Sequence, residues 1–247
     1  MEDQVIHLMH RYAYSLVREY ARPTDRLLEV GFGEGYGAEM IRDWVAEYHG
    51  VEVSLEAVEH ARERHAHPRC AFHHEPAGLP FADDWFDLVI SFQVIEHVDD
   101  VQAYVDEIRR VCRPGGAVLI VTPNRNHRLA DGERPWNRYH IREFSPAELE
   151  AACSSSFGKV ELFGIGGIPI LEEVERNRVA RARRLARIDR LGLRYVLPEG
   201  VDTKLRLLLK RGASAPVVNG NAFTLSDLTH SQERVESALD LLAIARG

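Results

Sequence analysis

The chain has 247 residues, 45% of them apolar, and a formal charge of −7. That length and apolar content support one substantial core, and the acidic balance argues against a general nucleic-acid binder. Cys70, Cys112 and Cys153 are widely separated and lack C-x-x-C spacing, so neither a disulfide framework nor a cysteine zinc site is expected.

The chain begins Met1-Glu2-Asp3 with no basic segment leading into an apolar one, and no apolar run is long enough to span a bilayer. A cytoplasmic protein is the expectation. Residues 4–21 place Val5, Leu8, Met9, Tyr12, Leu16 and Val17 at helical spacing before Pro23. This is a packing helix or, with Arg11, Tyr12 and Tyr14 turned inward, a lid. Leu27-Leu28-Glu29-Val30 then reads as a strand that breaks into Gly31, Gly33, Gly35 and Gly37, and residues 38–45 read as a helix. Strand, glycine turn and helix N-terminus form the place where an open α/β sheet holds a nucleotide-like ligand. A dinucleotide fingerprint starting at Gly31 would need a glycine where Tyr36 stands, and its pyrophosphate would meet Glu29 and Glu34. The same carboxylates attract a ligand carrying an ammonium and a sulfonium, such as S-adenosylmethionine (SAM).

A second strand is predicted over 50–54. Glu52 ends it about 20 residues past the first glycine, where a carboxylate accepts hydrogen bonds from both hydroxyls of a ribose. A helix over 55–65 and a strand over 70–74 follow. His65, His67, His73 and His74 have no carboxylate or cysteine at ligand spacing, so no metal is assigned to them. Residues 84–92 form a nearly continuous apolar run, as in a central strand covered on both faces. It ends in Gln93-Val94-Ile95-Glu96-His97-Val98, at the edge where ligands bind. An amphipathic helix over 101–112 stops at Arg113-Pro114-Gly115-Gly116, and 117–121 is a fifth strand. Residues 122–143 make a long connection rich in Asn, Arg, Trp, Tyr and His, and a loop of that length is usually functional or disordered. A helix from Ala147, a sixth strand over 157–164 and a last strand over 238–245 complete the series. Between these two strands Leu171, Val174, Val179, Ala182, Leu185 and Ala186 share one helical side, beside Arg176, Arg178, Arg181, Arg183, Arg184, Arg187, Arg190 and Arg194. Glu172, Glu173, Glu175 and Asp189 can pair with part of this arginine run. The rest suits an anionic acceptor or a dimerisation arm.

From Glu29 to Gly35 the chain resembles motif I, E/D-x-G-x-G-x-G, of the class I SAM-dependent methyltransferases, and within them the methyltransferase-11 or ubiquinone-methyltransferase-like group. Residues 75–81, 93–98 and 113–116 resemble further family segments in order and spacing. The resemblance implies a doubly wound, Rossmann-like α/β fold of seven mostly parallel strands with the last antiparallel. A helical cap would enter between strands 6 and 7. The implied division is a lid helix over 1–22, a SAM-binding core over 23–165, a cap over 166–236 and a final strand over 237–247. It also implies a SAM site made by Glu29, Gly31, Gly33, Gly35, Glu52, Val53, Glu75, Pro76, Phe92 and Gln93, with Tyr12 from the lid, since His10-Arg11-Tyr12 is similar to a segment that precedes motif I in relatives.

Asn137-Arg138-Tyr139-His140-Ile141-Arg142-Glu143-Phe144 resembles an N-x-x-H-x-x-E-F segment of bacterial glycan and polysaccharide O-methyltransferases. The acceptor expected from it is a sugar hydroxyl. Trp136 and Tyr139 supply aromatic faces, and Asn124, Asn126 and Asn137 supply amides. An alcohol must lose its proton, and a histidine suits that near neutral pH. His140 is the first candidate base, His97 the second with Glu96 orienting an imidazole, and His127 the third. Some relatives carry E-x-x-E-H and bind a divalent ion such as magnesium there. Gln93 replaces the first acid, so no metal is assigned, although Glu96, His97 and His140 remain weak ligands. The rival readings are a quinol or small-aromatic O-methyltransferase, an RNA 2′-O-methyltransferase, a cofactor-binding module without turnover, and a nicotinamide dehydrogenase.

Overall fold

A computed structural model describes residues 2–188 and 223–247. Helix α1 (Glu2–Leu16) is followed by β1 (Arg26–Val30), α2 (Tyr36–Ile41), β2 (Glu47–Glu52), α3 (Leu55–Arg64) and β3 (Cys70–His74). The second half of the sheet brings β4 (Phe86–Phe92), α4 (Val101–Val111), β5 (Cys112–Pro123), the one-turn α5 (Arg125–Arg128), α6 (Pro146–Ser154) and β6 (Lys159–Gly167). Helix α7 (Pro169–Ile188), β7 (Leu228–Ser231) and β8 (Asp240–Arg246) close the described chain.

The strands form one sheet in the order β3-β2-β1-β4-β5-β8-β6-β7. β1 pairs in parallel with β2 and β4, β2 with β3, and β4 with β5. β8 runs antiparallel to both of its neighbours, β5 and β6, as expected of the last strand. The sheet has eight strands rather than seven, because β7 adds an antiparallel edge beyond β6. β7 is four residues long with its first residue alone buried, too short for a period-2 pattern to announce it. β2 begins three residues before the predicted 50–54, since Glu47, Tyr48 and His49 pair with Arg26, Leu27 and Leu28.

Alternation along each strand divides the core between the two faces. Leu27, Leu88, Ile90, Leu119 and Ile244 face one way and meet Ile41 of α2 and Val58 and Ala61 of α3. Leu28, Val89, Val118, Ile120 and Ala243 face the other and meet Val105, Ile108 and Val111 of α4 and Leu149 of α6. A smaller cluster joins Val5, Leu8 and Met9 of α1 to Leu171 and Val174 of α7. The apolar stripe predicted along residues 171–186 is thus covered in part by α1 of the same chain. Arg190, Arg194 and the rest of residues 189–222 of the expected cap lie outside the described residues, while residues 223–236 of it are described and carry β7.

Candidate functional site

The carboxyl ends of β1, β2 and β4 converge on a cavity of about 710 Å³. Its floor is the glycine turn after β1. Gly31 adopts φ +77°, where L side chains are strained, and a Cβ there would lie 2.4 Å from Val94 Cγ2. Glu52, at the end of β2, accepts from the Gly33 N–H at 2.9 Å and the Val53 N–H at 2.8 Å. The carboxylate is therefore held against the turn. The same cavity is lined by Gly33, Val53, Glu75, Pro76 and Gln93, expected of the cofactor site, and by His97, expected as a base. Asp100, Tyr104 and Glu107 of the α4 segment also line it, and sequence reading had missed them. Asp100 caps α4 by accepting from the Ala103 N–H at 3.0 Å, a capping signal that was legible. The Tyr104 hydroxyl meets Ser91 Oγ at 2.7 Å, a contact that only folding discloses. A wall carrying Glu52, Glu75 and Asp100 suits a cationic ligand with a vicinal diol and repels a pyrophosphate.

Four residues assigned to the cofactor do not line this cavity. Glu29 is 1% exposed and does not line the cavity; it accepts from the Tyr14 hydroxyl at 2.5 Å and from the Tyr48 hydroxyl. Burial pushes its carboxyl up to about 7, against the pull of both hydroxyls. Gly35 serves as the left-handed N-cap of α2. Tyr12 turns to His230 of β7, 3.0 Å from its Nδ1, and Phe92 lies edge-on against Tyr14.

A second cavity, of about 530 Å³, adjoins the first and shares Gln93, His97 and Tyr139 with it. Helix α1 contributes Ile6, Met9 and His10, the long loop contributes Trp136, Asn137 and His140, and α7 contributes Glu175 and Arg178. Gln93 stands at the junction with φ +59°, rare for a residue other than glycine. Its N–H donates to Val121 O at 2.7 Å and its Nε2 to Asp240 Oδ2 at 3.2 Å. Backbone strain of this kind collects at ligand sites. Asp240 is buried in the wall, which raises its carboxyl to about 7 in spite of the Arg128 charge. The acid opening an apolar strand was its sequence signal.

The first two candidate bases, His140 and His97, meet in this cavity with Glu96. His140 has a 6% exposed side chain, and its Nδ1 lies 3.0 Å from Oε1 of Glu143, which also pairs with Arg128 Nε at 3.0 Å. Burial lowers the His140 pKa, and the Glu143 hydrogen bond opposes that shift. His97 lies edge-on to His140 with ring centroids 4.8 Å apart, and its Nδ1 meets Tyr139 O at 2.8 Å. A carbonyl and a carboxylate accept, so each Nδ1 carries the hydrogen and each Nε2 the lone pair. Glu96 is wholly buried; its Oε2 accepts from Thr122 Oγ1 at 2.9 Å, while Oε1 has no partner. Burial raises its carboxyl to about 8. Among the described residues, Glu96, His97 and His140 bring one ligand atom each within 4.8 Å of the others, the arrangement closest to a metal centre. His127, the third candidate base, does not line this cavity.

Part of the arginine run is matched by acids. Arg178 Nε donates to Glu175 at 2.7 Å, Arg183 Nε to Glu133 at 2.8 Å, and Arg176 lies 3.7 Å from Glu172. Arg128 and Arg178 also stack on Trp136, at 4.3 and 5.3 Å from its ring. No described helix is long and apolar enough to cross a membrane.

Residues 28–120 match a family model described as a methyltransferase domain. The chain is 34% identical over 242 residues to a probable S-adenosylmethionine-dependent methyltransferase of Mycolicibacterium smegmatis, covering 96% of this chain and 86% of that protein. A probable S-adenosylmethionine-dependent methyltransferase of Mycobacterium tuberculosis is 30% identical over 238 residues, covering 96% and 81%. In fold, the chain is similar to the YcgJ protein of Bacillus subtilis, with a TM-score of 0.55 at 20% identity, covering 96% of this chain and 100% of that one. With a glycine turn and a strand-end acid lining the cavity at the strand ends, and with relatives of this identity along almost its whole length, the chain belongs to the class I SAM-dependent methyltransferases.

Proposed function

We propose that this enzyme methylates a hydroxyl of a sugar or oligosaccharide, with His140 receiving the proton. The observation that carries this reading is the second cavity: open, polar and joined to the cofactor cavity through Gln93, His97 and Tyr139. A quinol or small aromatic would need an apolar pocket. Here Trp136 offers a face for sugar C–H groups, while Asp240, Asn137 and Glu175 offer polar partners for hydroxyls. An RNA acceptor would need a basic channel, whereas Arg128 and Arg178 in this wall are paired with Glu143 and Glu175.

SAM, when bound, supplies a methyl group already activated on a sulfonium. The protein must then hold an acceptor oxygen in line with it and exclude water. Helix α1 acts as the lid and α7 as the described part of the cap over the acceptor. Glu52 and Glu75 hold the cofactor, and Glu143 fixes the His140 tautomer so that Nε2 can accept the hydroxyl proton.

The test is transfer of isotopically labelled methyl from SAM to saccharides, quinols and small RNAs. Label is expected on a saccharide. His140→Ala should cut turnover roughly 100-fold or more while SAM binding persists. Label confined to quinols or RNA would overturn the acceptor assignment, and normal turnover by His140→Ala would overturn the base.

A further inference from the structure

We propose that Arg128 and Arg178 form an oxyanion subsite in the second cavity, so that the acceptor saccharide carries a carboxylate beside the hydroxyl that is methylated. The sugar rests on the acceptor reading given above. The anion is argued from the two arginines and what surrounds them.

Each guanidinium is held by an acid on one edge and left open on another. The two side chains are only 11% and 15% exposed, and both line the cavity. Arg128 Nε stands 3.0 Å from Glu143 Oε1. Its Nη1 and Nη2 donate to no group among the described residues and are not enclosed by protein, so they open on the cavity. Arg178 donates to Glu175 through Nε and Nη2, and its Nη1 has no partner among the described residues. Both guanidiniums lie over the Trp136 ring, at 4.3 and 5.3 Å from its centroid. The ring and the two acids thus fix the arginine planes before a ligand arrives. A guanidinium offers parallel N–H groups that a carboxylate accepts in pairs, and donors so nearly buried are costly to leave without an acceptor.

The neighbouring acids set the charge that this subsite accepts. Glu143 and Glu175 are matched one for one by the two arginines. Burial raises the carboxyls of Glu96 and Asp240 to about 8 and about 7, so neither is fully ionised near neutral pH. The wall is close to neutral rather than basic, which suits a single negative charge and disfavours a dianionic phosphate monoester. Position follows from Glu143. Its Oε1 lies 3.0 Å from both Arg128 Nε and His140 Nδ1, so the base and the subsite are fastened to one oxygen. The carboxylate and the reacting hydroxyl therefore belong to the same sugar unit or to adjoining ones.

The experiment is ligand-observed NMR titration of the full-length protein, saturated with S-adenosylhomocysteine, the demethylated cofactor. The probes are glucuronate, its methyl ester, a hexose phosphate and benzoate. Glucuronate is expected to bind, and the ester, which keeps every sugar hydroxyl and loses only the charge, about 10- to 100-fold more weakly. Arg128→Lys and Arg178→Lys keep a positive charge opposite each acid and remove the paired N–H groups. Each should weaken glucuronate about 10-fold or more with the SAM Kd unchanged. The comparison of acid with ester uses the unaltered protein and stands even where a variant fails to fold. Equal binding of acid and ester, no binding by either carboxylate, or unchanged glucuronate affinity in both arginine variants would overturn the subsite. A hexose phosphate bound more tightly than glucuronate would overturn its restriction to one negative charge. Benzoate binding that depends on Arg128, with no binding of glucuronate, would leave the subsite standing and overturn the sugar assignment alone.

Discussion

Glu29 sits in motif I, yet its surroundings make it a pH-dependent liability for the folded protein. Its carboxyl rises from 4.5 to about 7 on folding, with burial as the main cause. Below pH 4.5 both states hold the proton and the group is neutral in its effect. As pH rises from 4.5, the unfolded chain ionises first, and stability falls until the folded carboxyl also ionises near 7. Such a shift corresponds to a loss of about 3 kcal/mol, undiminished by solvent because the group is buried. Glu29→Gln removes this titration. The amide forfeits one or both tyrosine hydrogen bonds, at about 1 kcal/mol each, at every pH. The variant should therefore be the less stable protein at pH 4.5 and match or exceed the wild type at pH 8. Urea unfolding of both proteins at several pH values measures this. The raised carboxyls of Glu96 and Asp240 contribute to both curves and cancel in the difference. A wild-type-minus-variant difference that stays constant from pH 4.5 to 8 would refute the reasoning.

Gly31→Ala places a Cβ 2.4 Å from Val94 in a backbone at φ +77°, so stability should fall by about 1–3 kcal/mol with SAM binding lost, as read by unfolding and calorimetry. Glu52→Ala removes the carboxylate proposed to accept from the ribose hydroxyls and should raise the SAM Kd roughly 10- to 100-fold with a folded circular dichroism spectrum; an unchanged Kd would remove Glu52 from the proposed cofactor site. Trp136→Ala, in the acceptor cavity only, should raise the acceptor KM several-fold and leave the SAM Kd as it was.

The cavity at the carboxyl ends of β1, β2 and β4 was legible because its lining is written locally. The glycine turn, Glu52 and the strand-four end each lie within a few residues of a strand terminus, where pattern and spacing act together. Glu29 was misplaced for the opposite reason. Its neighbours in sequence point to the ligand, but Tyr14 from α1 and Tyr48 from β2 capture it, and neither contact has a sequence signature. Tyr12 was drawn away in the same manner by His230, from a strand too short to detect. The early start of β2 was hidden by Glu47 and His49, polar residues that interrupt its apolar run. In the acceptor half, His140 and His97 were each suspected, while their meeting with Glu96 depends on a long loop folding back onto β4.

The position of β8 has a consequence for synthesis. The last strand of the chain lies inside the sheet, between β5 and β6, and pairs Val118 with Ala245 and Lys159 with Arg246. While the chain is still on the ribosome, β5 and β6 have each lost the neighbour that joins them, and both present an open edge. The sheet cannot be completed until residues 240–246 have been made, so the growing chain passes through a stage exposed to edge-to-edge association. Truncation before Asp240 would leave a gap through the middle of the sheet, with the glycine turn intact in sequence and no rigid platform to hold it.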